Sequence, residues 1–187
     1  MVKDKGTESY IRSFTSGSKD INEAVSLLVA TLEATTDGIL VVDLSGIIVL
    51  YNKRFTEMWS IPKSILATLD DNEAIKYVLS QLKDPDRFID KIKHLYANPT
   101  EVSYDVLEFK DGRIFERYSF PVNVNNAVIG RVWRFRDVTD HMKNEEKLKA
   151  YLDGLAKMTM SLVDRRDVDV NIVRQQIDDL RKIITQI

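Results

Sequence analysis

The sequence predicts an α+β domain: five antiparallel strands, with helices gathered between the second and third, bracketed by amphipathic helices at both ends. Three observations lead there. Runs with the two-residue period of half-buried strands occur as a pair within residues 39–51 and as a trio between residues 102 and 138. Between these groups the apolar residues recur at helical spacing in short pieces. Outside them, apolar seams spaced alternately three and four residues apart open and close the chain.

Residues 1–18 are rich in Ser, Thr, Lys and Asp without a clear period and are expected to form a flexible arm. Asp20 followed by Glu23 resembles a capping box, and Ile21, Val25, Leu28 and Leu32 then place one apolar stripe on a helix over residues 19–34. At Asp37-Gly38 the period shortens. Ile39–Asp43 and Ile47–Tyr51, joined at Ser45-Gly46, predict a β-hairpin. Pro62 and Pro85 divide the helical stretch from Asn52 to Leu95. Asp70 and Glu73 can cap one helix carrying Ile75, Val78, Leu79 and Leu82, and Asp84-Pro85 opens another carrying Phe88, Ile92 and Leu95. After Asn98-Pro99 come Val102–Phe109, Ile114–Val122 and Val128–Val138, separated by Lys110-Asp111-Gly112 and Asn125-Asn126. From Asp140 the pattern is helical again. Leu148, Tyr151, Leu155, Met158 and Leu162 form a coiled-coil seam, and beyond a charged break at residues 164–169 a second seam runs through Val173, Ile177, Leu180, Ile184 and Ile187.

Composition narrows the function classes. The 187 residues carry 27 Lys plus Arg against 29 Asp plus Glu, a net charge of −2, which argues against nucleic-acid binding through bulk positive charge. A chain that is 44% hydrophobic and 30% charged is globular, with material for one core. The absence of cysteine excludes a disulfide framework, a thiolate zinc site, an iron–sulfur cluster and any cysteine nucleophile or cysteinyl adduct. Two histidines, His94 and His141, are too few for a multi-histidine metal site, so no metal is expected. The polar first fifteen residues and the shortness of apolar runs such as Ile39–Val42 give no membrane span. A cytoplasmic protein without a membrane or nucleic-acid partner is the expectation.

The order of elements resembles the PAS sensory fold. Leu32-Glu33-Ala34-Thr35-Thr36-Asp37-Gly38-Ile39 opens the first strand, and Asp43-Leu44-Ser45-Gly46-Ile47-Ile48-Val49-Leu50-Tyr51-Asn52 leads to Phe55 and Trp59. Lys110-Asp111-Gly112 follows, then Gly130 and Phe135-Arg136-Asp137-Val138-Thr139, which is similar to the Asp-[Ile/Val]-Thr signature ending the last PAS strand. The resemblance covers about residues 30–150. It implies helices on one sheet face, a PAS domain over residues 35–140, and a signalling helix with a second helical segment over 141–187.

If Gly112 is left-handed in a three-residue hairpin loop, Phe109 faces Arg113, Leu107 faces Phe115 and Asp105 faces Arg117. By resemblance to flavin-binding PAS members, Phe115, Arg117, Ser119, Trp133 and Phe135 point inward. Two readings follow for Arg117 and Asp105. One is a clamp for a small anionic metabolite; the other is an ion pair that neutralises the sheet interior. The resemblance further makes Asp137 and Thr139 the relay between sheet and output helix, where Thr139 or Asp140 can equally be a helix N-cap. Haem is not expected, because His94 lies at the far end of its helix from the axial position of haem-binding PAS proteins. Cysteinyl flavin photochemistry is excluded, and a non-covalent flavin stacked on Trp133 is the weaker alternative to a colourless site.

The resulting expectation is a non-enzymatic PAS sensor or dimerisation module of a bacterial-type, two-component signalling system. It would form a homodimer through its flanking helices and act on a downstream kinase, cyclase or regulator domain. The alternatives are the sensory part of a larger histidine kinase or nucleotide cyclase, and an interaction scaffold without a ligand.

Overall fold

The computed structural model describes residues 18–163 together with residues 171, 173–175 and 177–179. The expected arm lies outside the described residues except for Ser18, which opens helix α1 (Ser18–Glu33), two residues before the cap expected at Asp20. Strands β1 (Gly38–Asp43) and β2 (Ile48–Tyr51) form the hairpin. Helices α2 (Lys53–Trp59), α3 (Lys63–Leu66), α4 (Asp71–Leu79) and α5 (Pro85–Ala97) follow. Strands β3 (Ser103–Glu108), β4 (Ile114–Val124) and β5 (Ala127–Asp137) then complete an antiparallel sheet in the order β2-β1-β5-β4-β3. Helix α6 (Thr139–Val163) belongs to a second compact unit, which begins at Thr139.

Helices α2, α4 and α5 start where a side chain satisfies free backbone donors. Asp70 accepts from the Asn72 N–H at 2.9 Å, and Asp84, ahead of Pro85, accepts from Arg87 at 3.0 Å. Asn52 does more. It is buried, and its Oδ1 accepts from the N–H groups of both Ile39 (2.8 Å) and Phe55 (2.9 Å). Its Nδ2 donates to Leu32 O (3.1 Å), Thr35 Oγ1 (3.1 Å) and Asp37 O (2.9 Å). One amide therefore ties the end of α1, the start of β1 and the start of α2.

The helices cover one sheet face. Phe55, Met58 and Trp59 of α2, Ile75 and Val78 of α4, and Phe88, Ile92 and Leu95 of α5 are buried with Leu40, Val42, Trp133 and Phe135 of the strands. The spacing of Phe88, Ile92 and Leu95 puts all three on one face of α5, and burying each contributes roughly 2 kcal/mol. Trp59 is the centre of an aromatic cluster, its ring 5.0 Å from Phe109, 5.2 Å from Phe135, 5.8 Å from Phe115 and 6.1 Å from Phe88. On the other face Tyr104, Val106 and Phe120 are exposed.

The apolar stripes of the flanking helices are also exposed: Ile21, Val25 and Leu28 on α1, and Leu148, Tyr151, Leu155 and Met158 on α6. The side chain of Leu162, the charged break, and Leu180, Ile184 and Ile187 of the second seam lie outside the described residues; Val173 and Ile177 are helical.

The sheet leaves no room for a side chain at Gly130. A Cβ there would sit 2.4 Å from Val42 O, in the β1 backbone that pairs with β5. Gly130→Ala is expected to lower stability by about 3 kcal/mol, since a strand rather than a rotamer must move. Thermal or urea unfolding of the variant checks this.

Candidate functional site

The register of the inner face is set at one turn. Gly112 is left-handed (φ +88°), its N–H donates to Phe109 O (3.1 Å), and the Phe109 N–H donates to Arg113 O (2.9 Å). Consequently Leu107 pairs with Phe115, Asp105 with Arg117 and Ser103 with Ser119, as the three-residue loop predicts. Across β4 and β5, Arg117 pairs with Phe135 and Ser119 with Trp133. Phe115, Arg117, Ser119, Trp133 and Phe135 are all buried.

Arg117 is 1% exposed and Asp105 holds it in a bidentate pair, Nε to Oδ1 at 2.8 Å and Nη2 to Oδ2 at 2.6 Å. The guanidinium carbon lies 4.5 Å from the centre of the Phe88 ring and 5.3 Å from that of Trp133, so both rings add cation–π attraction. The third nitrogen, Nη1, is buried and has no hydrogen-bond partner, and the same holds for Trp59 Nε1. Both residues wall one cavity of about 30 Å³, together with Phe55, Phe88, Trp133, Phe135 and Asp71 and an aliphatic remainder that includes Ile75 and Val78. Such a volume holds about two water molecules. Metabolite pockets are usually roughly tenfold larger.

The structure thus brings Arg117, Trp133 and Phe135 to the cavity and sets Asp105 behind Arg117. Phe115 and Ser119 are inward but are not part of the cavity wall, which corrects their place in the expected lining. Phe115 packs on Phe109 with ring centres 4.4 Å apart, while the Ser119 hydroxyl accepts from Arg131 Nη1 at 2.8 Å. Facing inward fixes only the side of the sheet; the helices above decide which stretch of a strand meets open space. Asp137 ends β5 opposite Phe115, and Thr139 opens α6. His94 stands in the last turn of α5 with Nε2 2.7 Å from Glu101 Oε2, half exposed.

Two groups escaped the sequence reading. Arg131 is 3% exposed and donates to the carbonyls of Glu101 (2.9 Å), Pro99 (3.1 Å), Asn98 (3.2 Å) and Leu95 (3.3 Å) as well as to Ser119. Burial lowers its pKa. It lies two residues before Trp133, so extending the inward alternation of Phe135 and Trp133 by one step would have found it. Asp71, 4% exposed, accepts a hydrogen bond from Tyr96 Oη. Burial pushes its carboxyl up to about 6 against the lowering effect of Tyr96, with Asp70 adding repulsion, and burial beside Asp71 also raises Tyr96. Nothing in Asp70-Asp71-Asn72 distinguished this acid from its capping neighbour.

No family model matches the chain, and no curated protein matches it. Among solved structures it is similar to an RNA-binding light-oxygen-voltage receptor, with a TM-score of 0.50 at 18% identity over 73% of this chain and 39% of that one. The domain has the PAS fold. The PAS domain of an HTR-like protein from Haloarcula marismortui is similar at a TM-score of 0.46 and 20% identity, covering 64% of this chain and 95% of that one. The sensor region of a sensor histidine kinase gives 0.45 at 14% identity over 56% of this chain, which spans 40% of that region's length. Among the described residues no helix is long and apolar enough to cross a membrane, and no cluster of His, Asp and Glu could hold a metal ion.

Asp105→Asn leaves the Arg117 cation buried without its counter-charge and is expected to cost about 3 to 5 kcal/mol in a denaturant titration. Asp71 acts in the opposite sense. Its folded pKa of about 6 lies above the ordinary value of 3.8, so the stability it contributes is present in acid and is lost as pH rises through that interval. The loss is about 3 kcal/mol by linkage. Asp71→Asn should therefore raise the melting temperature at neutral pH and flatten the acid limb of the pH–stability profile.

Proposed function

We propose that this chain is a non-enzymatic PAS sensor whose core cavity takes a small molecule and whose flanking helices relay its presence. The observation that carries the reading is the buried, unpartnered Nη1 of Arg117 on a cavity otherwise walled by aromatic and aliphatic side chains. Leaving a buried polar group unmade costs about 1 to 3 kcal/mol, a burden explained if the position serves a ligand atom. Asp105 orients the guanidinium, Trp59, Trp133 and Phe135 supply apolar contact, and the small volume makes any larger ligand a wedge between the helices and the sheet.

That wedge supports a relay. One wall of the cavity belongs to α2, α4 and α5 and the other to β1, β4 and β5, and β5 continues through Asp137 and Val138 directly into Thr139 of α6. A ligand binding the expanded arrangement better shifts the population toward it, and the strand carries the shift to the helix start. The exposed stripes of α1 and α6 suit a homodimer through these helices, because such stripes on a monomer invite association. The output would be a kinase, cyclase or regulator domain of a two-component type of system, on the same polypeptide or on a partner.

A second reading, an interaction scaffold without ligand, draws on the cavity volume of only about 30 Å³. Native mass spectrometry of the purified protein separates the two, with an absorption spectrum of the same sample to reveal haem or flavin. A non-covalent adduct that disappears on denaturation is expected, and its loss in Arg117→Met would assign it to the cavity. A bare mass, together with no melting shift across small carboxylates, phosphates and amides, leaves the scaffold reading. Light scattering at tens of micromolar is expected to give twice the 21.5 kDa chain mass.

A further inference from the structure

Charge accounting within the core restricts what the cavity can accept. Arg117 already has a carboxylate on two of its three nitrogens, so its unfilled position asks for a lone pair and not for a negative charge. The second unfilled donor, Trp59 Nε1, belongs to a neutral ring. The other ionisable group on the cavity wall is Asp71, an acid. Asp71 is faced by Tyr96 of α5, by its chain neighbour Asp70 and by Arg117 across the cavity, with the cation of Arg131 on β5 reaching the Tyr96 hydroxyl electrostatically. With Asp71 ionised, two buried cations, Arg117 and Arg131, stand against two carboxylates, Asp105 and Asp71. Asp37, also buried, is paired with Arg134 and Arg136, so the groups around the cavity are neutral before any ligand arrives.

Resting on the reading of the cavity as a ligand site, we infer that its ligand is a small neutral molecule presenting hydrogen-bond acceptors, such as an amide, lactam or heterocyclic carbonyl, and not a carboxylate or phosphate. An anion entering a neutral, water-poor cavity surrenders its hydration without gaining an unmatched cation. A carbonyl oxygen loses far less and can take up the free N–H of Arg117. The aromatic walls formed by Trp59, Phe88, Trp133 and Phe135 favour a planar molecule.

Matched pairs of nearly equal shape test this: acetamide against acetate, and benzamide against benzoate. Trp59 and Trp133 are the two tryptophans of the chain and both wall the cavity, so intrinsic fluorescence reads binding directly, with melting shifts as a second measure. At about pH 7.5 the amide of each pair is expected to bind at least about tenfold more tightly than the acid, and near pH 5, with Asp71 largely protonated and the core left with a net positive charge, the gap should narrow. Asp105→Asn, checked for native circular dichroism, should turn the preference toward benzoate. The wild-type comparison stands without that variant. A carboxylate that binds as well as its amide or better at the higher pH, through a response lost in Arg117→Met, overturns the neutral-ligand inference and leaves the ligand site intact. Silence of all four probes at tens of millimolar, in fluorescence and in melting, overturns both.

Discussion

Two guanidinium groups lie on the inner face of the sheet, and the rest of the domain is arranged around keeping them out of water. Neither could remain there alone, because an unpaired buried charge costs several kcal/mol. The two are compensated differently. Arg117 faces a carboxylate from the adjacent strand, a solution local to the β3–β4 hairpin. Arg131 instead gathers backbone carbonyls from the last turn of α5 and the segment after it, where the helix dipole presents partial negative charge. The second solution reaches across layers. It fixes the C-terminal end of α5 against β5, and α5 in turn carries Phe88 and Ile92 to the cavity wall.

This arrangement explains why the cavity sits where it does. Toward one end of the inner face the aromatic rings of Phe109, Phe115 and Trp59 fill the space; toward the other Arg131 and its carbonyls fill it. Between them the Arg117 guanidinium sits over the rings of Phe88 and Trp133, and a fork-shaped group among rings leaves gaps at its edges. The void is a by-product of packing a fork-shaped ion among rings.

Much of this was legible in the sequence. Two-residue alternation located all five strands, and the single left-handed residue Gly112 was enough to set the β3–β4 register and so to pair Asp105 with Arg117. The positive φ of Asn125 and Asn126 likewise matches the two-residue turn their position suggests. What remained hidden depends on contacts distant in the chain. Asp71 is a helix-start acid like Asp70 until Tyr96, 25 residues later, closes over it. Phe115 and Ser119 obey the inward pattern yet do not wall the cavity, since alternation specifies a face and carries no information about the layer above it.

Asn52 has a consequence for how the domain comes apart. Its single side chain holds the Ile39 and Phe55 amides on one side and three acceptors from residues 32–37 on the other. A rotation of that amide breaks the bonds on both sides together. The Ile39 and Phe55 amide protons should therefore exchange with solvent in a common opening event, at one shared rate under conditions where opening is limiting. The tail of α1 would be released in that same event, so detachment of the N-terminal helix and fraying of the first strand form one cooperative step of the native-state ensemble.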